Sequence, residues 1–267
     1  MQFYDVLIIG KGTWGTKLNE ILQRDCPTLN ITSISARELL SDINRNYLLL
    51  ENSSLVWIAT TPEVQLKLLK LLNNFQIKVI LEKPSFLTKS QFEELILQIN
   101  NKTEVFMSEP WKYSSTWQFT KQLIKEKKPT NIKVRRGSEL VRNNIPSWLD
   151  WCFHDLSLIY DLNSINCLES DLIIKNSCAE INIWTNEYEL DLVCGLMPRK
   201  IATWEFNDVI IDFNASSYSQ GNKRNVLEMN MPLANQLTFC LKAESNIQEL
   251  EAKLMFYYKV IEKGFLY

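Results

Sequence analysis

The sequence predicts an α/β protein with an N-terminal doubly wound parallel sheet and a C-terminal α+β domain built on a mostly antiparallel sheet. Up to residue 110, apolar runs alternate with segments of helical spacing, which is typical of parallel strands covered by helices. Further along, five strand-like runs follow one another without helices between them, which favours antiparallel pairing. With 267 residues, 46% of them hydrophobic, the chain can form two domains. We predict domains over 1–110 and 111–267.

The first strand, turn and helix carry the most informative motif. The apolar run Val6–Ile9 ends in Gly10-Lys11-Gly12-Thr13-Trp14-Gly15, and apolar residues at helical spacing follow. In a Gly-x-Gly-x-x-Gly turn the first glycine allows the tight turn, the second lets a pyrophosphate approach the backbone, and the third lets helix and strand pack closely. The motif predicts a Rossmann-type dinucleotide-binding domain over 1–110. An ordinary glycine-rich turn is the alternative. The predicted cofactor contacts are Gly10, Gly12, Thr13, Trp14 and Gly15.

The tip of the second predicted strand, 29–35, bears on the choice of cofactor. In this fold an Asp or Glu at the tip binds the 2′-hydroxyl of NAD. Here Ser33, Ser35 and Arg37 occupy the tip, and hydroxyls with a guanidinium suit a 2′-phosphate. The sequence therefore favours NADP(H). NAD(H) is the alternative, in which Arg37 only begins the next helix and Glu38 binds the ribose.

Two further strands end in short polar motifs. Ser54–Ala59 is followed by Thr60-Thr61-Pro62, and Ile77–Leu81 runs into Glu82-Lys83-Pro84. Because the carboxyl ends of parallel strands border the ligand crevice, we expect Lys83 to face it. The following proline biases Lys83 towards an extended conformation, which helps to aim its side chain. A surface lysine at a strand end is the alternative.

The remaining patterns complete the two domains. Ser90 with Glu93 predicts a capping box for a helix to about Ile99, and Glu104–Met107 closes the first domain as a strand. In the second domain the patterns predict helices over 114–125, 148–162, 232–241 and 246–262. They predict strands over 131–136, 172–175, 180–184, 189–196, 201–206 and 209–213.

The single histidine of the chain, His154, lies on the predicted helix 148–162 with Asp150 one turn earlier. Residues four apart share a helix face, so the two side chains are expected on the same face. Histidine titrates near neutrality and can pass a proton to or from a reacting oxygen or nitrogen. Asp150 could contact a substrate or hold the imidazole in position. A structural histidine on an amphipathic helix is the alternative.

Together these motifs resemble the glucose–fructose oxidoreductase/inositol dehydrogenase (Gfo/Idh/MocA) family. The resemblance implies an NAD(P)-dependent oxidoreductase that transfers a hydride between nicotinamide and a small polar substrate, such as a sugar, a nucleotide sugar or a cyclitol. It implies that Lys83 is the catalytic lysine, that His154 is the proton donor or acceptor, and that Asp150 is its substrate-binding or assisting partner. The matching stretches are Ile8–Gly15, Trp57–Pro62, Leu81–Pro84 and Asp150–Asp155.

The resemblance further implies cofactor and substrate contacts. The cofactor contacts are Thr60, Thr61, Pro62, Glu82 and Lys83, beside the glycine turn, Ser35 and Arg37. The substrate contacts are Lys83, Trp111, Asp150 and His154.

The chain departs from the family in two places. Gln65 and Leu66 stand where a histidine usually follows the Thr-Pro, and Met107–Tyr113 replaces a segment in which arginine or asparagine is more typical. Trp111 is expected to shape the pocket or to pack the domain junction. These departures leave the substrate open. An imine (C=N) reductase of the same fold and a non-catalytic NADP(H)-binding sensor are the alternatives.

Composition argues against several other classes of function. A net charge of −2 without a long basic stripe argues against nucleic acid as the main partner. No apolar run is long enough to cross a bilayer, and the strand near the N-terminus is unlike a secretory signal. Six scattered cysteines without a Cys-x-x-Cys pair favour reduced thiols in a cytoplasmic protein and no metal site. Analogy with the family adds a homodimer formed through the exposed face of the second-domain sheet.

Overall fold

The computed structural model of the chain describes residues 4–99, 103–141, 145–163, 167–228 and 231–266. It contains two compact units, Met1–Pro110 with Leu233–Glu251, and Trp111–Pro232 with Ala252–Tyr267. The first division falls at the predicted domain boundary after residue 110. The sequence patterns do not predict that 233–251 belongs to the first unit.

The first unit is built on a five-stranded sheet in the order β2-β1-β3-β4-β5, in which every neighbouring pair is parallel. The strands are β1 (Tyr4–Ile9), β2 (Ile31–Ile34), β3 (Ser53–Ile58), β4 (Lys78–Leu81) and β5 (Glu104–Met107). The helices between them are α1 (Thr13–Asp25), α2 (Ala36–Ser41), α3 (Ile43–Glu51), α4 (Pro62–Leu72) and α5 (Lys89–Ile99). Residues 6–9 of β1 are fully buried, as their uninterrupted apolar run predicts. The predicted parallel sheet is confirmed.

The predicted capping box at Ser90 and Glu93 is wrong. Helix α5 begins at Lys89, and the Oγ1 atom of Thr88 accepts a hydrogen bond from the backbone N–H of Gln91 at 3.2 Å. In return, the Oε1 atom of Gln91 accepts the N–H of residue 87 at 2.7 Å. A related capping therefore occurs two residues earlier, with Thr88 at the N-cap, in which Gln91 accepts the N–H of the residue before the cap and not that of the cap itself.

A helix from late in the chain completes the first unit. Helix α8 (Pro232–Lys242) packs Ala234, Leu237 and Cys240 into the core that contains the buried residues of α1 and β1. The Nζ atom of Lys78, on β4, donates to three carbonyl oxygens at the end of α8, at distances of 2.5 to 3.2 Å. An amphipathic pattern predicts that α8 is a helix but does not say which sheet it covers.

The second unit is built on an eight-stranded sheet in the order β13-β12-β11-β10-β6-β9-β8-β7. Strands β6 and β9 are parallel, and the other neighbouring pairs are antiparallel. The strands are β6 (Asn131–Ser138), β7 (Cys167–Lys175), β8 (Cys178–Thr185), β9 (Glu189–Leu196), β10 (Ile201–Phe206), β11 (Val209–Asp212), β12 (Ser217–Gln220) and β13 (Lys223–Val226). The helices are α6 (Ser115–Lys127), α7 (Ser147–Asn163) and the part of α9 (Ile247–Ile261) that follows Glu251. The predicted mostly antiparallel sheet is confirmed.

The sequence patterns do not predict strands β12 and β13. Their sequences, Ser-Tyr-Ser-Gln and Lys-Arg-Asn-Val, lack apolar alternation, and every residue of β13 is exposed. Both strands extend the sheet outward from β11 by antiparallel pairing. Backbone hydrogen bonds to a neighbour, rather than burial of side chains, place them in the sheet.

A buried ion pair fixes α7 on the second sheet. Arg136 of β6 and Asp155 of α7 are 1% and 0% exposed. The guanidinium donates from Nε to Oδ2 at 2.5 Å and from Nη2 to Oδ1 at 2.9 Å, and the Nε1–H of Trp204 donates to Oδ1 at 2.9 Å. The carboxylate is thus fully engaged in charge-assisted hydrogen bonds, which a buried charge requires.

A second carboxylate, Asp161 near the end of α7, anchors α6 and the segment before it. Its Oδ2 atom accepts hydrogen bonds from Nε1 of Trp117 at 2.6 Å and from Nζ of Lys121 at 2.8 Å. The Nζ atom of Lys112 lies 3.3 Å from Oδ1. Burial alone would raise the pKa of Asp161, but these hydrogen bonds and the two positive charges outweigh it and lower the pKa below the usual carboxyl value.

The lowered pKa of Asp161 makes stability depend on pH in acid. Because the folded state holds the carboxylate ionised, its contribution is fully present above the unfolded pKa of about 4 and is lost as pH falls through the lower folded pKa. We expect Asp161→Asn to have a lower free energy of unfolding than the wild type at pH 7. Its free energy of unfolding should also fall less steeply between pH 5 and 2 (about the range of carboxyl titration). Urea unfolding across this range measures both. Glu205→Gln, at an exposed position of β10, is the control for removal of a charge. Equal acid slopes in Asp161→Asn and the wild type would contradict the assignment.

Candidate active site

The glycine turn brings three backbone segments into contact. Gly10 has a φ of +135°, and a Cβ atom added to it would lie 2.2 Å from the carbonyl oxygen of Ala59. A Cβ atom on Gly15 would lie 2.0 Å from the carbonyl oxygen of Gly10. The N–H of Gly10 donates to the carbonyl of Ile34 at 2.8 Å, so the ends of β1, β2 and β3 meet here. The fold therefore requires glycine at both positions.

Gly12 is different, because the fold does not require a glycine there. Apart from Gly12 and its neighbours in the chain, no described residue has an atom within 4 Å of a Cβ added to it, and its φ of −74° suits any residue. Gly12 caps the 13-residue helix α1, and Thr13 and Trp14 form the first turn. The missing side chain leaves open space beside the N-terminal N–H groups of α1, which favour an anion. The turn therefore fits a pyrophosphate.

The tip of β2 presents the residues on which the cofactor prediction depends. The Oγ atom of Ser35 accepts the backbone N–H of Glu38 at 3.1 Å and caps α2, and Ser33 is half-buried. Arg37 and Glu38 are exposed on the first turn of α2. Nζ of Lys11, in the glycine turn, lies 3.8 Å from Oε2 of Glu38. Arg37, which favours NADP(H), and Glu38, which favours NAD(H), thus both lie beside the tip of β2.

The ends of β3 and β4 carry the two polar motifs. Thr60 is half-buried, Thr61 is exposed, and Pro62 is the first residue of α4. Lys83 is half-buried directly after β4, and its peptide bond to Pro84 is cis. The parallel register places both motifs at the carboxyl edge of the sheet, where the sequence analysis expects them.

Helix α7 carries the predicted proton-transfer residues in the second unit. Asp150 lies in the first turn and is 4% exposed, and His154 follows one turn later and is half-buried. The rings of Trp151 and His154 have centroids 6.1 Å apart. The helical spacing of Asp150 and His154 is confirmed. Lys83 belongs to the first unit, so the joint catalytic role of the three residues stays a prediction.

Trp111 packs within the second unit. Its ring centroid lies 5.5 Å from the guanidinium carbon of Arg136 and 5.9 Å from the ring of Phe213, at an interplanar angle of 90°. The packing of Trp111 at the domain junction, one of the two roles that the sequence analysis expects, stays a prediction. Its contact with a substrate stays a prediction.

The thiols of the cysteines whose side chains the structure describes form no disulfide bond. They belong to Cys26, Cys152, Cys178, Cys194 and Cys240, whereas the side chain of Cys167 lies outside the described residues. Burial raises the pKa of the Cys194 thiol well above its ordinary value, and a hydrogen bond with Cys152 raises it further. A thiol of this kind is a poor nucleophile.

Two structural features are absent from the described ranges. None of the helices there is both long and apolar enough to cross a membrane. No group of three or more His, Cys, Asp or Glu side chains in the same ranges could hold a metal ion.

Comparisons with known proteins identify the fold. Neither a protein-family model nor a curated protein sequence matches the chain. Among solved structures, UDP-N-acetylglucosamine 3-dehydrogenase GnnA from Acidithiobacillus ferrooxidans is similar, with a TM-score of 0.74, 14% identity and 100% of both chains covered. The dehydrogenase MviM from Clostridium difficile gives a TM-score of 0.70, 13% identity and coverage of 98% of this chain and 100% of that one.

A third similar structure contains ligands. It is a 3-ketoreductase from Actinomadura kijaniata in complex with TDP-benzene and NADP, with a TM-score of 0.75, 11% identity and coverage of 97% and 96% of the two chains. These neighbours are dehydrogenases and reductases of the Gfo/Idh/MocA type. The resemblance inferred from the sequence motifs is therefore confirmed at the level of the fold.

The glycine geometry predicts losses of stability of different size for two similar substitutions. Gly15→Ala should lower the free energy of unfolding by about 2–4 kcal/mol, because the new methyl group has no room beside the Gly10 carbonyl. Gly12→Ala, the matched control, should cost about 1 kcal/mol or less, since alanine is only a poorer N-cap than glycine. Urea unfolding followed by circular dichroism measures both changes. Equal stabilities of the two variants would contradict the close approach.

Proposed function

We propose that this chain is an NAD(P)-dependent oxidoreductase that transfers a hydride between nicotinamide and a small polar substrate, with nucleotide sugars as the favoured class. The observation that carries the proposal is the open space at Gly12, at the N-terminus of α1, between two glycines that the fold requires. A turn that served folding alone would need Gly10 and Gly15 but would tolerate a side chain at position 12.

Three groups of residues would hold the cofactor. The N–H groups at the start of α1, left open by Gly12, would bind the pyrophosphate. Arg37 and Ser33, at the tip of β2, would bind a 2′-phosphate, so NADP(H) is the proposed cofactor. Thr60 and Lys83, at the ends of β3 and β4, would border the nicotinamide. When bound, the nicotinamide supplies or accepts the hydride.

Residues of this chain would manage charge and protons in the reaction. The Lys83 ammonium would stabilise negative charge that develops on the reacting oxygen of the substrate. His154 would give that oxygen a proton, or take one from it, at a ring nitrogen. Asp150, one turn away on α7, would contact the substrate or orient the imidazole.

The names of the similar structures support the choice of substrate class. One is a dehydrogenase of UDP-N-acetylglucosamine, and another is a ketoreductase bound to TDP-benzene and NADP. Nucleotide sugars are therefore the first substrates to examine, and an imine substrate is the next. A homodimer through the exposed face of the second sheet and a cytoplasmic location stay predictions.

The cofactor is tested by fluorescence titration of the purified protein with NADPH and NADH. We expect NADPH to bind more tightly, and Gly12→Ala to weaken binding of both by about tenfold or more, because a methyl group would occupy the pyrophosphate space. Arg37→Ala should weaken the binding of NADPH by about tenfold and leave the binding of NADH unchanged.

Glu38→Gln is the matched control for the cofactor titration, because it changes a neighbouring exposed residue on the same turn of α2. A selective loss of NADH binding in Glu38→Gln would show that the acid binds the ribose of NAD and would overturn the preference for NADP(H). No binding of either cofactor would contradict the proposed function.

The reaction is tested by following the absorbance of the reduced nicotinamide while the protein is incubated with a panel of UDP- and TDP-sugars. Lys83→Ala should lower kcat by about 100-fold or more, because charge on the reacting oxygen loses its partner. His154→Asn should lower kcat and remove the limb of the pH–rate profile that the histidine sets. Both variants should still bind NADPH. Unchanged turnover in both would refute the catalytic assignment.

A further inference from the structure

The carboxylate of Glu82, the residue directly before Lys83, is anchored in the interior of the first unit. Glu82 is 4% exposed. The Nε1–H of Trp57, on β3, donates to its Oε1 atom at 3.0 Å, and the hydroxyl of Ser108, just after β5, donates to the same atom at 2.8 Å. Glu82 therefore links the ends of three neighbouring strands, and its side chain cannot turn without breaking both hydrogen bonds.

Gln65, on α4, holds the backbone on both sides of Lys83. Its Nε2 atom donates to the carbonyl oxygens of Glu82 at 2.8 Å and Thr60 at 3.0 Å, and the carbonyl oxygen of Pro84 lies 3.5 Å from the same atom as a third, weaker acceptor. The three carbonyl oxygens also establish which end of the carboxamide faces them, because an amide oxygen there would be repelled. Gln65 thus connects the motif after β3 to the motif after β4.

The other end of the Gln65 carboxamide accepts no hydrogen bond from the part of the chain that the structure describes. Gln65 is 1% exposed, and its Oε1 atom has no partner among the residues that the structure describes. A buried acceptor without a partner destabilises a fold. A leucine would avoid this cost but would leave the carbonyls of Thr60 and Glu82 without their donor. The donors of Gln65, and not its acceptor, therefore account for glutamine at this position, and they hold the backbone beside Lys83.

We propose that Gln65 is a positioning residue for Lys83. With Glu82 as a fixed anchor, it holds the carbonyls of the residues directly before and directly after Lys83, so that the amine is presented in one orientation. The inference rests on the proposed function, in which Lys83 acts at the reacting oxygen. A lysine side chain is long and flexible, so its placement depends on how firmly its backbone is held. A misplacement of about 1 Å can cost a factor of about 100 in rate.

Gln65→Leu tests the proposal with a measurement that does not depend on turnover. Lysine amines of the cofactor-free protein are dimethylated with ¹³C-formaldehyde, and the Lys83 resonance is identified by its loss in Lys83→Arg. We expect the resonance to shift or broaden in Gln65→Leu, because the amine adopts more orientations. With UDP-N-acetylglucosamine and NADP⁺ as probes, kcat should fall by about 10- to 100-fold while the KM for NADP⁺ stays within about twofold.

Two further variants serve as control and rescue. Gln98→Leu makes the same chemical change on α5, where the Oε1 atom of Gln98 accepts from Asn73 at 2.9 Å, and it should leave the Lys83 resonance in place. Gln65→His keeps one N–H donor and should restore part of kcat. If Gln65→Leu does not fold, Trp57→Phe replaces it, since that change removes the indole N–H that donates to Glu82 while it keeps an aromatic ring, though a smaller one, in the core. The Lys83 resonance should move in Trp57→Phe as well.

The outcomes separate this inference from the proposed function. A Lys83 resonance that does not change in folded Gln65→Leu, or in Trp57→Phe used in its place, overturns the positioning role, whether or not the wild type turns over the probe. A shifted resonance together with a fall in kcat supports both proposals. A shifted resonance in a protein that turns over no nucleotide sugar supports the positioning role and counts against the proposed function.

Discussion

The close approach of three backbone segments at the glycine turn is the constraint on which the first unit depends. Two of its three glycines have no room for a Cβ atom, with carbonyl oxygens at 2.2 and 2.0 Å from where that atom would lie. Because neither of these two glycines has a side chain, α1 can begin shortly after β1 and beside the end of β3. The N–H groups at the start of α1 then face open space at Gly12. The same short motif therefore closes the fold and leaves a place for an anion.

Buried carboxamides hold the strand ends around this turn. Parallel strands end with backbone groups that no longer have a partner in the ladder, and buried groups of this kind need hydrogen bonds. Gln65 donates to the carbonyls after β3 and β4. Gln236, fully buried on α8, donates to the Met107 carbonyl at 2.7 Å and accepts the Glu109 N–H at 3.1 Å. Polar side chains thus give the carboxyl edge of the sheet its rigidity, which a site carried on strand ends needs.

In the second unit the buried ion pair between Arg136 and Asp155 holds helix α7 in place on the sheet. Asp155 directly follows His154 on α7, so the contact that fixes the rotation of this helix also fixes the direction of the histidine. The guanidinium lies against the rings of Trp111 and Phe213, which exclude water from the pair. Removal of either charge would leave the other buried without compensation. The proposed proton-transfer residues therefore stand on a helix with one orientation on its sheet.

The sequence by itself determined the features that depend on neighbouring residues. The apolar runs of the five parallel strands, the glycine turn and the one-turn spacing of Asp150 and His154 are local patterns, and the structure contains each of them. Tertiary structure alone decided which sheet α8 covers, where the Glu82 carboxylate points and what Gln65 does. These features need partners far along the chain, such as Gln236 for Met107, 129 residues away, or Trp57 for Glu82, 25 residues away. Periodicity and propensity report only on residues within a few turns of each other, so contacts of this kind become visible only when the chain has folded.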